Sequence, residues 1–118
     1  MSVRISRVPT LRKSVVKEGV LEADGTEQTL VEVVGAVSLE GYVDLGEMGD
    51  GDEVVLRRYV KIQGGGEYGL HASDTYSGVQ REPLVRFPPI TCYYGLRITL
   101  QQTAGTYRRF PHQFFILL

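Results

Sequence analysis

The sequence predicts a single all-β domain, an antiparallel β-sandwich of the jelly-roll kind with about eight strands. Three observations predict it. Short runs of β-branched and aromatic residues recur along the 118 residues. These runs are separated by glycine, proline and aspartate. Inside the runs, apolar residues alternate with polar ones. No stretch shows the period of a helix of useful length. The chain is long enough to bury one core, so we expect one domain.

The predicted strands follow one another from residue 14 to residue 117. Strict alternation is clearest in the third strand, where Val37, Leu39, Val43 and Leu45 share one face. The same pattern recurs in the fourth and seventh strands. The full set is Ser14–Glu22, Thr29–Val34, Val37–Leu45, Glu53–Ile62, Tyr68–Ala72, Pro83–Phe87, Tyr93–Gln102 and Tyr107–Leu117.

The last predicted strand is apolar on both of its faces. Phe110, Phe114 and Ile116 share one face, whereas Phe115 and Leu117 share the other. An apolar strand with a bare face promotes aggregation, so we expect both faces to be covered. The pattern leaves two interpretations open: a central strand buried inside one subunit, or a contact between subunits.

Charge is distributed unevenly along the chain, although the net charge is only −1. Residues 1–17 contain five cations and no acid, whereas eleven of the fourteen acids lie in residues 18–62. We therefore divide the chain into a basic N-terminal arm, residues 1–14, and a sandwich domain, residues 15–118. Such an arm can fold back, reach a neighbouring copy or bind a polyanion.

Apolar residues between the arm's cations favour packing against protein over binding of nucleic acid. A frayed or locally paired first strand is the plain structural alternative. We expect the arm and the outer side of the last strand to form an oligomer interface. Its predicted residues are Arg4, Arg7, Arg12, Lys13, Phe115 and Leu117.

Several groups of residues suggest chemistry, and each has a better structural interpretation. Residues 45–53, LGEMGDGDE, cluster carboxylates as a Ca²⁺ site does, but their spacing is not that of an EF-hand loop and suits a hairpin connection. Residues 64–66 lack the lysine and hydroxyl residue of a phosphate loop. His71, Ser73 and Asp74 lie too close in sequence for triad geometry. We therefore expect no catalytic residue, no metal and no cofactor.

The segment 71–82, HASDTYSGVQRE, is predicted to be an exposed loop that carries specificity. Tyr68, His71 and Tyr76 are its possible ligand-binding residues, because tyrosine combines apolar area with a polar tip, as a sugar platform requires. The alternative is that tyrosine simply suits half-buried strand positions. A carbohydrate-binding or adhesion module therefore stays open as a second function.

No apolar run is long enough to cross a membrane, and no secretory signal is evident, so we expect no membrane partner. The single cysteine, Cys92, cannot form an intrachain disulfide and is predicted to be a buried thiol. Asparagine is absent. Its absence suits a thermophile, because asparagine is thermolabile, and chance or base composition explains it equally well.

Three stretches carry a resemblance to a known group of proteins: VDLGEMGDGDEVVLRRYVKI, TYSG and RITLQQTAGTYRRFPHQFFIL. They resemble small uncharacterised β-sandwich proteins encoded among the structural genes of tailed and archaeal viruses, and the resemblance spans residues 18–117. It implies a non-enzymatic capsid, capsid-decorating or tail-associated subunit located in the virion. Its partners would be copies of itself and a major capsid or other virion protein. No residue roles are carried over with it.

Overall fold

A computed structural model describes residues 13–117 of the chain. The arm residues Arg4, Arg7 and Arg12 lie outside the described residues. The described part consists of eight antiparallel strands joined by turns and short connections. These are β1 (Lys13–Glu22), β2 (Gln28–Val34), β3 (Val37–Asp44), β4 (Glu53–Lys61), β5 (Gly69–Ser77), β6 (Leu84–Cys92), β7 (Gly95–Ala104) and β8 (Arg109–Leu117).

The strands form two four-stranded sheets. The first sheet has the order β1-β8-β3-β6, and the second has the order β2-β7-β4-β5. Most consecutive strands therefore lie in opposite sheets, and every pairing is antiparallel. Two interlocked Greek keys of this kind make an eight-stranded jelly roll. The predicted fold class is confirmed.

The inner faces of the two sheets share one hydrophobic core, and burying them is the main favourable contribution to folding. The alternation predicted for the third strand is confirmed, since Leu39 and Val43 are buried and Tyr42 between them is exposed. Cys92 is buried and unpaired, as predicted. The largest buried apolar side chains are Phe110, Phe114, Leu30, Leu39, Leu45, Leu56, Leu96, Ile98, Leu100, Val43 and Val54.

Strands β5 and β6 are longer than the sequence predicted. Residues 71–77, which we placed in an exposed loop, form most of β5, so the prediction of a loop was wrong there. β5 is an edge strand that pairs only with β4, and such a strand can be polar throughout. β6 continues through Pro88 and Pro89 because both lie at a bulge opposite Glu40 in an edge strand, where the ladder of hydrogen bonds is interrupted.

The connections between strands gather at two ends of the sandwich. At one end, backbone hydrogen bonds join neighbouring connections. The Ala23 amide donates to the Arg108 carbonyl, and the Gly78 amide donates to the Asp52 carbonyl. At the other end, which we call the tip, the Gly35 amide donates to the Tyr94 carbonyl at 3.3 Å. The tip comprises the connections at residues 35–36, 62–68 and 93–94.

Candidate interaction surface

Asp52 organises the acidic connection between β3 and β4, where the sequence suggested a Ca²⁺ site and favoured a turn. Its carboxylate is 2% exposed and accepts hydrogen bonds from the Gly49 amide (2.8 Å), the Thr106 amide (2.9 Å) and Arg108 Nε (2.7 Å). These bonds, first that of Gly49 and then that of Arg108, hold the pKa of Asp52 below its ordinary value. Asp52 is therefore a structural anchor between two connections. Within residues 13–117, no three His, Cys, Asp or Glu side chains are grouped to hold a metal ion.

The outer face of the second sheet is polar, and its side chains bond to one another. The Glu27 carboxylate accepts hydrogen bonds from the hydroxyls of Tyr59 (2.5 Å) and Thr99 (2.7 Å). Arg97 Nε donates to the Thr29 hydroxyl at 3.0 Å, and its guanidinium lies 5.6 Å from the centre of the Tyr59 ring. The hydrogen-bonding groups of these side chains are satisfied by one another, and the face that they form is polar.

The outer face of the first sheet carries polar side chains too, such as Glu18 and Gln113, but it also exposes several apolar ones. Strand register places Val15 beside Phe115 and Val20 beside Pro111 on this side. Val20 is 57% exposed and Leu84, at the opposite edge of the sheet, is 61% exposed. We call this surface the outer patch. It consists of Val15, Val20, Tyr42, Leu84, Pro111, Phe115 and Leu117.

The charged residues within the outer patch are paired with each other. Glu40 on β3 forms ion pairs with Lys13 on β1 and with Arg86 on β6, the latter at 3.6 Å. With Tyr42 and Phe115 they line a cleft of about 400 Å³. One carboxylate between two cations leaves a net positive charge at this cleft, so a protein surface that covers it would need to supply a compensating negative charge.

The structure brings together some of the residues that the sequence predicted to form an oligomer interface. Phe115 and Leu117 both lie on the outer patch, and Leu117 is 45% exposed. Lys13 borders the patch, but it is paired with Glu40 on its own chain. The inner face of the same strand, with Phe110, is buried in the core. The inner face of the last strand is therefore buried within one subunit, whereas a contact between subunits at its outer face stays a prediction.

Tyr68, His71 and Tyr76 do not converge on one binding platform. Tyr68 donates its hydroxyl to Glu32 at 2.6 Å, and burial raises its pKa to about 12. Tyr76 lies near the opposite end of β5, where it pairs with Val54 and packs against the core. Eight residues of strand separate the two tyrosines, about 26 Å. His71 is exposed between them.

Sequence reasoning missed five of the seven patch residues: Val15, Val20, Tyr42, Leu84 and Pro111. The alternation in residues 37–45 placed Tyr42 on the outward face, which was the available signal. That Val20 and Leu84 share this face depends on how β1 and β6 pair with β8 and β3, because a shift of one residue would turn each side chain to the other side. No local pattern specifies that register.

His112 points into the sandwich from β8. It is 8% exposed, and its Nδ1 lies 3.1 Å from the Phe110 carbonyl oxygen. Its Nε2 has no hydrogen-bond partner within residues 13–117. Nδ1 therefore carries the proton in the neutral ring, because only an N–H can bond to a carbonyl. Burial lowers the pKa of His112, and Lys17 on the neighbouring strand lowers it further.

We expect the free energy of unfolding to fall as the pH is lowered from about 7.5 to about 5.5. In this range the unfolded histidine, with a pKa near 6.5, takes up a proton that the folded one resists, so acid favours unfolding. Urea unfolding at several pH values measures the effect. His112→Leu should flatten this part of the profile, whereas His71→Leu, at an exposed position, should retain it. A profile that is the same in all three proteins would contradict the account.

The strand order defines the class of fold as an eight-stranded jelly roll. Jelly rolls of eight strands include viral capsid and lectin domains. No protein-family model and no curated protein matches the sequence. Nor does any helix of residues 13–117 have the length and apolarity needed to cross a membrane.

Among solved structures, the fold is similar to that in the crystal structure of the infectious bursal disease virus VP2 subviral particle. The match covers 98% of this chain and 36% of that chain, with 10% sequence identity and a TM-score of 0.49. The chain thus spans about a third of the length of that protein. A likeness of this strength does not extend to function.

Proposed function

We propose that this protein is a non-enzymatic structural subunit of a viral particle, a capsid-decoration or minor capsid protein. It packs against copies of itself and against a major capsid or other virion protein. The observation that carries the proposal is the set of large apolar side chains exposed on the outer face of the first sheet. Each of its four strands contributes at least one of them: Val20, Leu117, Tyr42 and Leu84. Apolar patches of this kind mark protein interfaces.

The area of the whole outer face of the first sheet, which contains the outer patch, is large enough for a contact between subunits. Four strands spaced at about 4.8 Å, each about nine residues long, give a face of roughly 600 Å². A standard stable interface buries about 800 Å² on each partner. The sheet face therefore provides most of such an interface. The N-terminal arm supplies the remainder and connects one copy to the next.

The viral location is supported by the sequence resemblance to viral structural proteins and by the jelly-roll fold, which is common in capsid domains. The positions of the possible catalytic residues argue for a non-enzymatic role. Ser73 and Asp74 are consecutive residues of β5, so their side chains point to opposite faces of the sheet. They cannot act together on one substrate.

Substituting the apolar edges of the outer patch should dissociate the assembly. In Val20→Lys/Leu84→Lys, two charges must be desolvated if the patch is to be buried. We therefore expect the dissociation constant for self-association to rise at least tenfold. Sedimentation velocity over a range of concentrations measures this change. The control is Val79→Lys, because Val79 is equally exposed at 68% but lies in the connection between β5 and β6. Equal association of both variants would refute a role for the patch.

A further inference from the structure

A second apolar surface lies at the tip, separate from the outer patch. Val34 is 78% exposed, Ile62 is 82% exposed and Tyr93 is 69% exposed. Val34 ends β2, whereas Ile62 and Tyr93 lie in two connections of the tip. A Cβ atom at Gly64 would lie 3.1 Å from the Tyr94 ring, so these two connections are close together. The adjacent rings of Tyr93 and Tyr94 meet edge to face with centroids 4.8 Å apart.

The chain enters the sandwich at this same end. Lys13, the first residue of β1, pairs with Leu117 on β8, which in turn pairs with Ser38 beside the turn between β2 and β3. Residues 1–12 precede this point. Twelve residues span up to about 40 Å when extended, which is enough to cross the tip of the same copy or of a neighbour.

The composition of residues 1–12 complements the tip. Val3, Ile5, Val8 and Leu11 provide apolar side chains, and arginines lie between them. The tip provides apolar area, and Glu67 in its connection between β4 and β5 is exposed and can accept an arginine.

We propose that residues 1–12 of one copy bind the tip of a second copy, with Val3 and Ile5 against Val34, Ile62 and Tyr93. A second copy is the occupant we commit to, because the proposed function requires contacts between copies and twelve residues are long enough to reach a neighbour. Since the arm and the tip lie at one end, two copies that meet tip to tip can exchange arms reciprocally about a two-fold axis. This inference rests on the proposed function and identifies the surface that the arm recognises.

Disulfide trapping tests the contact in the full-length chain. In a Cys92→Ala background, which removes the native thiol, one protein carries Ile5→Cys and a second carries Ile62→Cys. After the two are mixed and oxidised gently, we expect a disulfide-linked dimer on a non-reducing gel. A mixture of Ile5→Cys with Val79→Cys is the control, because Val79 is exposed at the opposite end. It should give at least fivefold less dimer.

A yield of dimer equal to that of the control would overturn the inference. So would a double variant, Ile5→Cys/Ile62→Cys, that closes its disulfide within one chain on dilution, because the arm would then cover its own tip. The face variants Val20→Lys/Leu84→Lys separate this result from the proposed function. Trapping at the tip that survives those substitutions supports the arm contact alone, whereas an oligomer that depends on the face and gives no trapping refutes the arm contact alone.

Discussion

Asp52→Asn is expected to lower the free energy of unfolding by about 3 kcal/mol. Asparagine is nearly isosteric, but it replaces an ionised acceptor of three hydrogen bonds with a neutral amide whose NH₂ group faces N–H donors. Arg108 also loses its ion pair. Urea unfolding at pH 7 measures the change. Asp50→Asn, two residues away and exposed, should stay within about 0.5 kcal/mol of the parent. Equal stability of the two variants would contradict the anchor role.

The same residue makes a prediction about acid. Because the pKa of Asp52 is depressed in the folded protein, its contribution is complete above the unfolded value of about 4 and is lost as the pH falls through the folded pKa. The parent should therefore lose stability below about pH 4, and Asp52→Asn should lose less over that range. This acid-sensitive range lies below that of His112, so the two titrations can be measured separately.

Gly41→Ala is expected to destabilise the fold by about 3 kcal/mol or to prevent folding. A Cβ atom at Gly41 would lie 2.3 Å from the Gln113 carbonyl oxygen and 2.9 Å from the Phe114 Cα, so strand β8 would have to move. The side chain of Phe114, which is fully buried, would have to move as well. Thermal unfolding measures the loss.

Gly69→Ala is the matched control for this substitution. Gly69 also lies in a strand, and a Cβ atom there would meet only the Val60 carbonyl oxygen at an ordinary 3.8 Å. We expect Gly69→Ala to be neutral or slightly stabilising, because alanine restricts the unfolded chain. Equal losses at the two glycines would show that close packing over Gly41 is not the cause.

The sequence predicted most of the fold because the core strands alternate regularly. Residues such as Leu39, Val43 and Ile98 could be assigned to the core from period two alone, and all three are buried. The polar edge strand β5 could not be predicted in full. Its residues bury little apolar surface, and pairing with β4 rather than any local preference makes them a strand. The prolines at 88 and 89 led the sequence analysis to end the sixth strand at Phe87, whereas β6 extends to Cys92. Proline is tolerated in an edge strand or at a bulge, and the sequence alone did not show that β6 is such a strand.

The candidate surface was only partly predictable. Phe115 and Leu117 could be found because apolar residues on both faces of a strand signal two buried sides. The remaining patch residues depend on register across four strands, and the exposed tip depends on three connections that are distant in sequence. Neither produces a local pattern. The anchor at Asp52 was hidden for a related reason, because its partners Thr106 and Arg108 lie more than fifty residues away.

The most direct test of the central claim is the native mass of the full-length chain in solution. Light scattering over a range of concentrations and at moderate salt measures that mass. We predict a discrete multiple of the 13.2 kDa chain that persists on dilution, as expected of an assembling structural subunit. A mass of 13.2 kDa at every concentration would contradict the account and favour a monomeric binding module, with glycan titration as the next measurement.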